Sequence, residues 1–311
     1  MEKVLVTGAT GYIALHCVQQ LLDKGYAVNG SIRSPERKNE IIDALKNSNT
    51  STENLNLFTF NLTSDDGWDA GMEGCDYVLH VASPLALENH TEDYFVKPAV
   101  EGAMRALKFA KKHNVKKVVL TSSVAAIFET GIEKVDYDEN DWSDPDNPKI
   151  SNYAKSKTLA EKADWDFLDQ EDNPFEFAVI NPALVIGPSL SGDLGVSNFA
   201  IEMVVTGKMP VAIPLQFGFV DVRDVATAHI LAMENTESNG ERFALAESDL
   251  WYRDIANLLR KNGFDKAPTF SVPVWLAKIL AVFNKELKVT VPYLGRVRSV
   301  VKATKAKDIL G

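Results

Sequence analysis

Apolar residues fall along this chain in two rhythms. Short apolar stretches, Val4 to Val6, Tyr26 to Ile32, Leu55 to Leu62, Cys75 to Val81, Lys117 to Leu120 and Phe177 to Ile186, are too brief for helices. Several run with almost no polar alternation, as strands buried on both faces of a parallel sheet must. Between them the spacing becomes helical. Ile13, Cys17, Val18, Leu21 and Leu22 return on one face until Gly25, which is placed to end the helix. Further helical segments are expected at Glu101 to His113 and from Ser151 onward. Strands alternating with helices predict an α/β fold built on a doubly wound parallel sheet. The alternation fades after Ile186, and Gly218 to Val225 and Arg242 to Ala246 are expected to return to the sheet. The expected division is therefore residues 1–180, with 215–246 rejoining them, and a smaller, irregular C-terminal lobe formed by 181–214 and 247–311.

The break between the first strand and first helix carries chemistry. In Thr7-Gly-Ala-Thr-Gly-Tyr-Ile-Ala14 the glycines stand three apart, with Thr10 just before the second. Glycine permits a tight turn and close approach of a ligand, and a helix starting there aims unpaired N–H groups and a positive dipole end at an anion. In a dinucleotide-binding unit the end of the second strand meets the adenosine ribose, where an acid would select NAD. Here the sequence is Ser31-Ile-Arg-Ser-Pro-Glu-Arg37. Arg33 and Arg37 offer charge and forked donors to a 2′-phosphate, so the expected cofactor is NADP(H).

Composition narrows the partners. The 311 residues suffice for a large core, and a formal charge of -10 argues against nucleic acid or an anionic membrane surface. Cys17 and Cys75 form no C-x-x-C pair, and no disulfide framework is expected. No two of the five histidines show metal-ligand spacing, so no metal is expected and His80 reads as structural. The first strand begins at Lys3, which leaves no room for a signal peptide, and Val272 to Phe283 is interrupted by Lys278. A soluble, cytoplasmic protein is expected, and the sequons at Asn49, Asn61 and Asn89 carry no meaning in that compartment. Asp221 and Asp224 around Arg223 read as an ion-pair corner.

Tyr153 is the only one of eight tyrosines with a lysine four residues on, which on a helix sets Tyr153 and Lys157 one turn apart on one face. A lysine ammonium about 4 Å from a phenol favours the phenolate by ~4 kcal/mol at an effective dielectric near 20. That is roughly three pKa units, enough to let a tyrosine act near neutrality. Ser123 closes the fifth strand, where ligands of such sheets bind. Together they suit donation of a proton from Tyr153 to a carbonyl oxygen that Ser123 also holds, while Lys157 binds the nicotinamide ribose.

With these stretches, His80-Val-Ala-Ser-Pro84, Val119-Leu-Thr-Ser-Ser123, Asn181-Pro182 with Val185-Ile-Gly-Pro188, and Phe219-Val-Asp-Val-Arg-Asp-Val-Ala226, the chain resembles the extended short-chain dehydrogenase/reductase family. Within it the chain is similar to the dihydroflavonol reductase-like branch, close to aldehyde and ketone reductases of the methylglyoxal reductase type. The resemblance implies a Rossmann sheet with a smaller substrate-binding lobe. It makes Ser123, Tyr153 and Lys157 the catalytic triad, and Gly8, Thr10, Gly11, Tyr12 and Ile13 the pyrophosphate turn. Arg33 and Arg37 match 2′-phosphate contacts, Leu62 an adenine contact, Ala82 and Ser83 the cofactor wall, and Pro182 and Val185 the nicotinamide side. Leu85, Val124, Phe128 and Leu184 match substrate neighbours, and all are apolar. An NADPH-dependent carbonyl reductase is expected, reversible as an alcohol dehydrogenase, acting on a small apolar carbonyl or alcohol compound as a monomer or homodimer. Two departures stand out: Asn61 where the family has aspartate, and Ala14 in place of the last glycine. The chain also ends at Gly311 where relatives continue into a further helix, so a short substrate lobe is expected. The rival expectations are an NAD-dependent epimerase, dehydratase or hydroxysteroid dehydrogenase/isomerase of the same family, and a non-catalytic NADP(H) sensor that binds protein partners.

Overall fold

The computed structural model describes residues 1–84, 91–130, 135–172, 174–283, 285–296 and 303–311. Strands β1 (Lys3–Val6), β2 (Ala27–Ile32), β3 (Leu55–Thr59), β4 (Tyr77–His80), β5 (Lys117–Thr121) and β6 (Glu176–Pro182) follow the expected order. With β9 (Glu241–Leu245) they form one parallel sheet ordered β3-β2-β1-β4-β5-β6-β9. The chain winds outward from β1 to β3, then crosses back to β4, so the order reverses between β1 and β4. The carboxyl ends of the strands at that reversal form the crevice where such sheets take ligands.

Helices cover both faces, which is why the strand interiors are apolar at successive positions. On one face α1 (Tyr12–Asp23), α2 (Lys38–Asn47), α7 (Val222–Glu234) and α11 (Thr304–Ile309) bury Leu15, Val18, Leu45, Val225 and Ala306 against Val4, Val28 and Phe243. On the other, α3 (Trp68–Met72), α4 (Glu92–Lys112) and α5 (Asn152–Gln170) bury Trp68, Leu107 and Phe167 against Leu5, Val118 and Phe177. Helix α4 starts well before the expected Glu101 and contains Pro98. Its early turns are held by burial of Phe95 and Ala99, with the Phe95 ring edge-on to Tyr153, and this packing overrides the local cost of the proline.

Two expectations change in the second half. The run from Phe177 to Ile186 is two strands, because Ala183 turns the chain out of β6, donating its N–H to Leu245, and β7 (Leu184–Ile186) enters a different sheet. Gly218 to Val225 does not return to the main sheet. Strand β8 (Gln216–Asp221) pairs with β7 and with β10 (Ser248–Trp251), and Asp221 then caps α7 by accepting from the Arg223 N–H. The expected return of Arg242 to Ala246 is met by β9. A separate apolar cluster joins Val204 of α6 (Gly195–Val205), Tyr252 and Ala256 of α8 (Tyr252–Lys261), Ala277 of α9 (Val274–Phe283), Ile213 and Leu294. Helix α10 (Lys285–Thr290) follows α9. Among the described residues no helix is long and apolar enough to cross a membrane, and no group of three metal-ligating side chains converges.

Candidate active site

The carboxyl end of β1 is a tight glycine turn that opens directly into α1. Gly8 sits at φ 67, and a Cβ there would meet the Ala82 Cβ at 3.0 Å and its Cα at 3.3 Å. Thr7 enforces that approach. Its hydroxyl oxygen accepts the N–H groups of Val81 and Ala82, each at 3.0 Å, so its own proton goes to His80 Nδ1 at 3.0 Å. Gly11 caps α1 with no side-chain bond, and the first turn holds no acidic residue. The first helical bond runs from Leu15 to the Gly11 carbonyl, so the N–H groups of Tyr12 and Ile13 have no acceptor within the helix. Thr10 is buried beside them.

At the end of β2, Ser31 Oγ accepts the Gly8 N–H at 2.8 Å, which joins the turn to the segment bearing the two arginines. Arg33 is exposed, and Arg37 forks onto Glu40 at 2.8 and 2.9 Å. No carboxylate occupies the ribose position at the strand end. An uncapped helix start, a glycine that a side chain would fill and two nearby arginines fit the diphosphate and 2′-phosphate of NADP(H). Gly187 to Asn198 folds over the helix start: Asn198 Nδ2 donates to the Tyr12 hydroxyl at 2.9 Å, and His16 Nε2 meets the Pro188 carbonyl at 3.0 Å.

The triad candidates come together on the neighbouring strand. Ser123 lies two residues past β5 and caps the short turn Val124–Ala126, and Ser151 caps α5 by accepting the Ala154 N–H, so Tyr153 and Lys157 occupy the first two turns of α5. Ser123 Oγ accepts the Ala125 N–H at 3.1 Å and also hydrogen-bonds the Tyr153 hydroxyl. Lys157 is buried and donates to the Thr121 carbonyl at 3.1 Å. Burial lowers the Lys157 pKa to about 8, against the attraction of Glu161 and Asp164. The sequence led us to expect a Tyr153 phenol depressed by Lys157. Instead burial raises Tyr153, and the opposing influence is the Ser123 hydrogen bond. With Lys157 turned to Thr121, the resting tyrosine is a neutral phenol.

A cavity of about 10 Å³, the size of a single water, lies behind Lys157 between His80, Ala82, Ser83, Ala103, Thr121 and Glu161. It brings the expected wall residues Ala82 and Ser83 beside the triad. His80 is neutral, its pKa held at about 3 by burial and by Lys157, so its structural assignment stands. Leu62 packs over Gly102 of α4, and its carbonyl accepts from Arg105. Pro182 is buried at the end of β6, and Val185 is buried in the main core. Val124 and Phe128 pack together with Ile127 and Ala183, whereas Leu184 stands on the second sheet beside Phe219. Leu85 lies outside the described residues. Asp221 and Arg223 form the expected ion pair, forked at 2.7 and 2.9 Å.

The sequence reading passed over a buried polar group beneath Lys157: Glu161, Asp164, Asn181 and Arg242. Its one sequence signal is an acid four residues after Lys157, on the same helix face.

Comparison with known proteins matches residues 4–246 to the NAD dependent epimerase/dehydratase family. Cinnamoyl-CoA reductase CAD2 of Medicago truncatula is 38% identical over 265 residues, covering 83% of this chain and 80% of its own. Dihydroflavonol 4-reductase of Dianthus caryophyllus is 33% identical over 279 residues, covering 88% and 75%. Among solved structures, yeast methylglyoxal/isovaleraldehyde reductase Gre2 complexed with NADPH superposes with a TM-score of 0.77 at 28% identity, covering 99% of this chain and 93% of that one.

Proposed function

The chain belongs to the NAD dependent epimerase/dehydratase family, in its extended short-chain dehydrogenase/reductase form, and from that premise we propose that it is an NADP(H)-dependent carbonyl reductase. The observation that carries the reading is the shared hydrogen bond of the Ser123 and Tyr153 hydroxyls, with the Lys157 ammonium buried one turn below Tyr153. Relatives named as reductases of cinnamoyl-CoA, dihydroflavonol and methylglyoxal support the class, and the NADPH complex of one supports the cofactor.

When bound, NADPH supplies a hydride to the carbonyl carbon. Tyr153 gives its phenolic proton to the carbonyl oxygen, completing the alcohol, and Ser123 hydrogen-bonds the same oxygen as negative charge gathers there. Lys157 stabilises the phenolate that Tyr153 becomes. This demand falls on its charged form, so turnover falls as pH rises past the Lys157 pKa. Gly8, Thr10, Gly11, Tyr12 and Ile13 would hold the diphosphate, Arg33 and Arg37 the 2′-phosphate, Leu62 the adenine, Ala82 and Ser83 the cofactor wall, and Pro182 and Val185 the nicotinamide side. Val124, Phe128 and Leu184 give the substrate side its apolar character, which favours a small uncharged aldehyde or ketone.

The experiment follows NADPH absorbance with methylglyoxal, isovaleraldehyde and cinnamoyl-CoA, and repeats it with NADH. Turnover with at least one carbonyl compound and NADPH is expected, and Tyr153→Phe should lower kcat by about 10²–10⁴-fold at unchanged thermal stability. Wild-type turnover by Tyr153→Phe would overturn the mechanism.

A further inference from the structure

The buried group beneath Lys157 bears on how the triad is held, and the inference rests on the Ser-Tyr-Lys reading above. Glu161 follows Lys157 by one turn of α5 and is 0% exposed. Its Oε1 accepts from Arg242 Nε at 2.5 Å and its Oε2 from Asn181 Nδ2 at 3.0 Å. The same Asn181 nitrogen donates to the Ser123 carbonyl at 3.2 Å. Arg242 is anchored from above: its Nη1 donates to the carbonyls of Glu139 at 2.6 Å and Asp141 at 2.8 Å, and its guanidinium lies 3.7 Å from the Trp142 ring centre. One carboxylate therefore touches the chain of contacts to Ser123 at one end and shares a helix face with Lys157 at the other.

The charges around Lys157 leave Glu161 a specific task. On α5, Asp164 is buried with its pKa raised by burial and by Glu161 against the pull of Lys157, and Tyr153 is a neutral phenol. On β4, His80 is neutral, and Thr121 at the end of β5 and Ser122 after it carry no charge. Helix α4 presents Ala99 and Ala103. Asn181 of β6 is uncharged, and Arg242 of β9 is a second cation held on the far side of Glu161. Among the described residues, Glu161 and Asp164 are the acids whose attraction offsets burial of the ammonium, and of the two Glu161 is the one fixed by side-chain hydrogen bonds.

We propose that Glu161 is a positioning residue for the reaction: gripped by Arg242 and Asn181, it keeps the Lys157 ammonium charged in a buried place and couples its position to that of Ser123. A carboxylate serving only to neutralise Arg242 would not touch the pH dependence of turnover. The two halves of the pair should act in opposite directions. Removing the charge by Glu161→Gln strips Lys157 of this anion. Removing the cation by Arg242→Met leaves an undivided carboxylate facing Lys157.

The test measures kcat and kcat/KM against pH for the full chain with NADPH and whichever carbonyl compound it turns over, with Tyr153→Phe in parallel. Glu161→Gln should move the alkaline limb to lower pH by roughly 1 unit and lower kcat at pH 8 about 10-fold, while the NADPH dissociation constant stays within about 2-fold. Glu161→Asp should recover part of both, and Arg242→Met should move the limb to higher pH. Limbs that coincide with wild type, or that move the same way in Glu161→Gln and Arg242→Met, overturn the proposal. Should Glu161→Gln not fold, the direction in Arg242→Met decides alone. If Tyr153→Phe keeps wild-type turnover, the triad reading itself falls; if Tyr153→Phe is inactive while Glu161→Gln behaves as wild type, only the role of Glu161 falls.

Discussion

The seven-stranded sheet and the cluster around the three-stranded sheet are held together by different means. In the first, β5 is buried at all five positions, and side chains as large as Trp68, Phe177 and Phe243 are wholly enclosed. In the second, α9 leaves Trp275 64%, Val282 74% and Phe283 85% exposed, and Phe270 nearby is 74% exposed. Every residue to which we assign proton transfer or cofactor phosphate binding stands at the carboxyl edge of the first region. A hydroxyl pair, a buried ammonium and a glycine turn must keep their spacing to well under an ångström, and strands clamped on both faces supply that rigidity. The second region contributes cover, such as the segment over Tyr12, and surface that can vary without moving the chemistry.

Four substitutions would break or sharpen this contrast. Phe243→Ala in the large core should cost about 3–5 kcal/mol in urea unfolding, whereas Phe270→Ala should stay within about 0.5 kcal/mol. Equal losses would abolish the distinction between the two regions.

A smaller effect comes from His229, which bridges β5 and α7. Val225 O can only accept, so Nδ1 carries the proton at 2.7 Å and Nε2 receives the Thr121 hydroxyl at 2.6 Å. Burial holds its pKa at about 4. The unfolded chain takes up a proton as pH falls through the ordinary histidine value, while the folded chain resists until about pH 4. His229 therefore subtracts stability on acidification across that window, by about 2 kcal/mol between pH 7.5 and 5. His229→Gln should lose that much less than wild type over the same interval, read from urea midpoints at both pH values. An unchanged slope would show that His229 is not clamped by the sheet.

Gly8→Ala should cost about 1–2 kcal/mol, since alanine resists φ 67 and its Cβ would press on Ala82. It should weaken NADPH binding more than it lowers the melting temperature, as fluorescence titration can measure. Retained affinity would mean that the turn is not the cradle.

Much of the first region was legible in advance because its physics is local. Gly8, Gly11 and the run before them dictate strand, turn and helix through backbone freedom and apolar spacing, and the Tyr153–Lys157 offset needs only a helical turn. The run from Phe177 to Ile186 misled because an apolar pattern records burial and not the partner strand, so the passage from one sheet to the other at Ala183 leaves no mark. The stretch from Gly218 to Val225 failed similarly: Asp221 could be read as a helix cap only once the strand before it had ended.

The residues themselves thus determined the alternation of strands and helices, the glycine turn, the two arginines and the candidate triad. Tertiary structure alone decided that Lys157 bonds Thr121 and leaves Tyr153 a neutral phenol, that Arg37 rests on Glu40, and that Glu161, Asn181 and Arg242 meet beneath the triad. The first set depends on neighbours a few positions apart along the chain. The second depends on charges brought out of water by strands and helices distant in sequence, where burial, and not spacing, sets which partner each group takes.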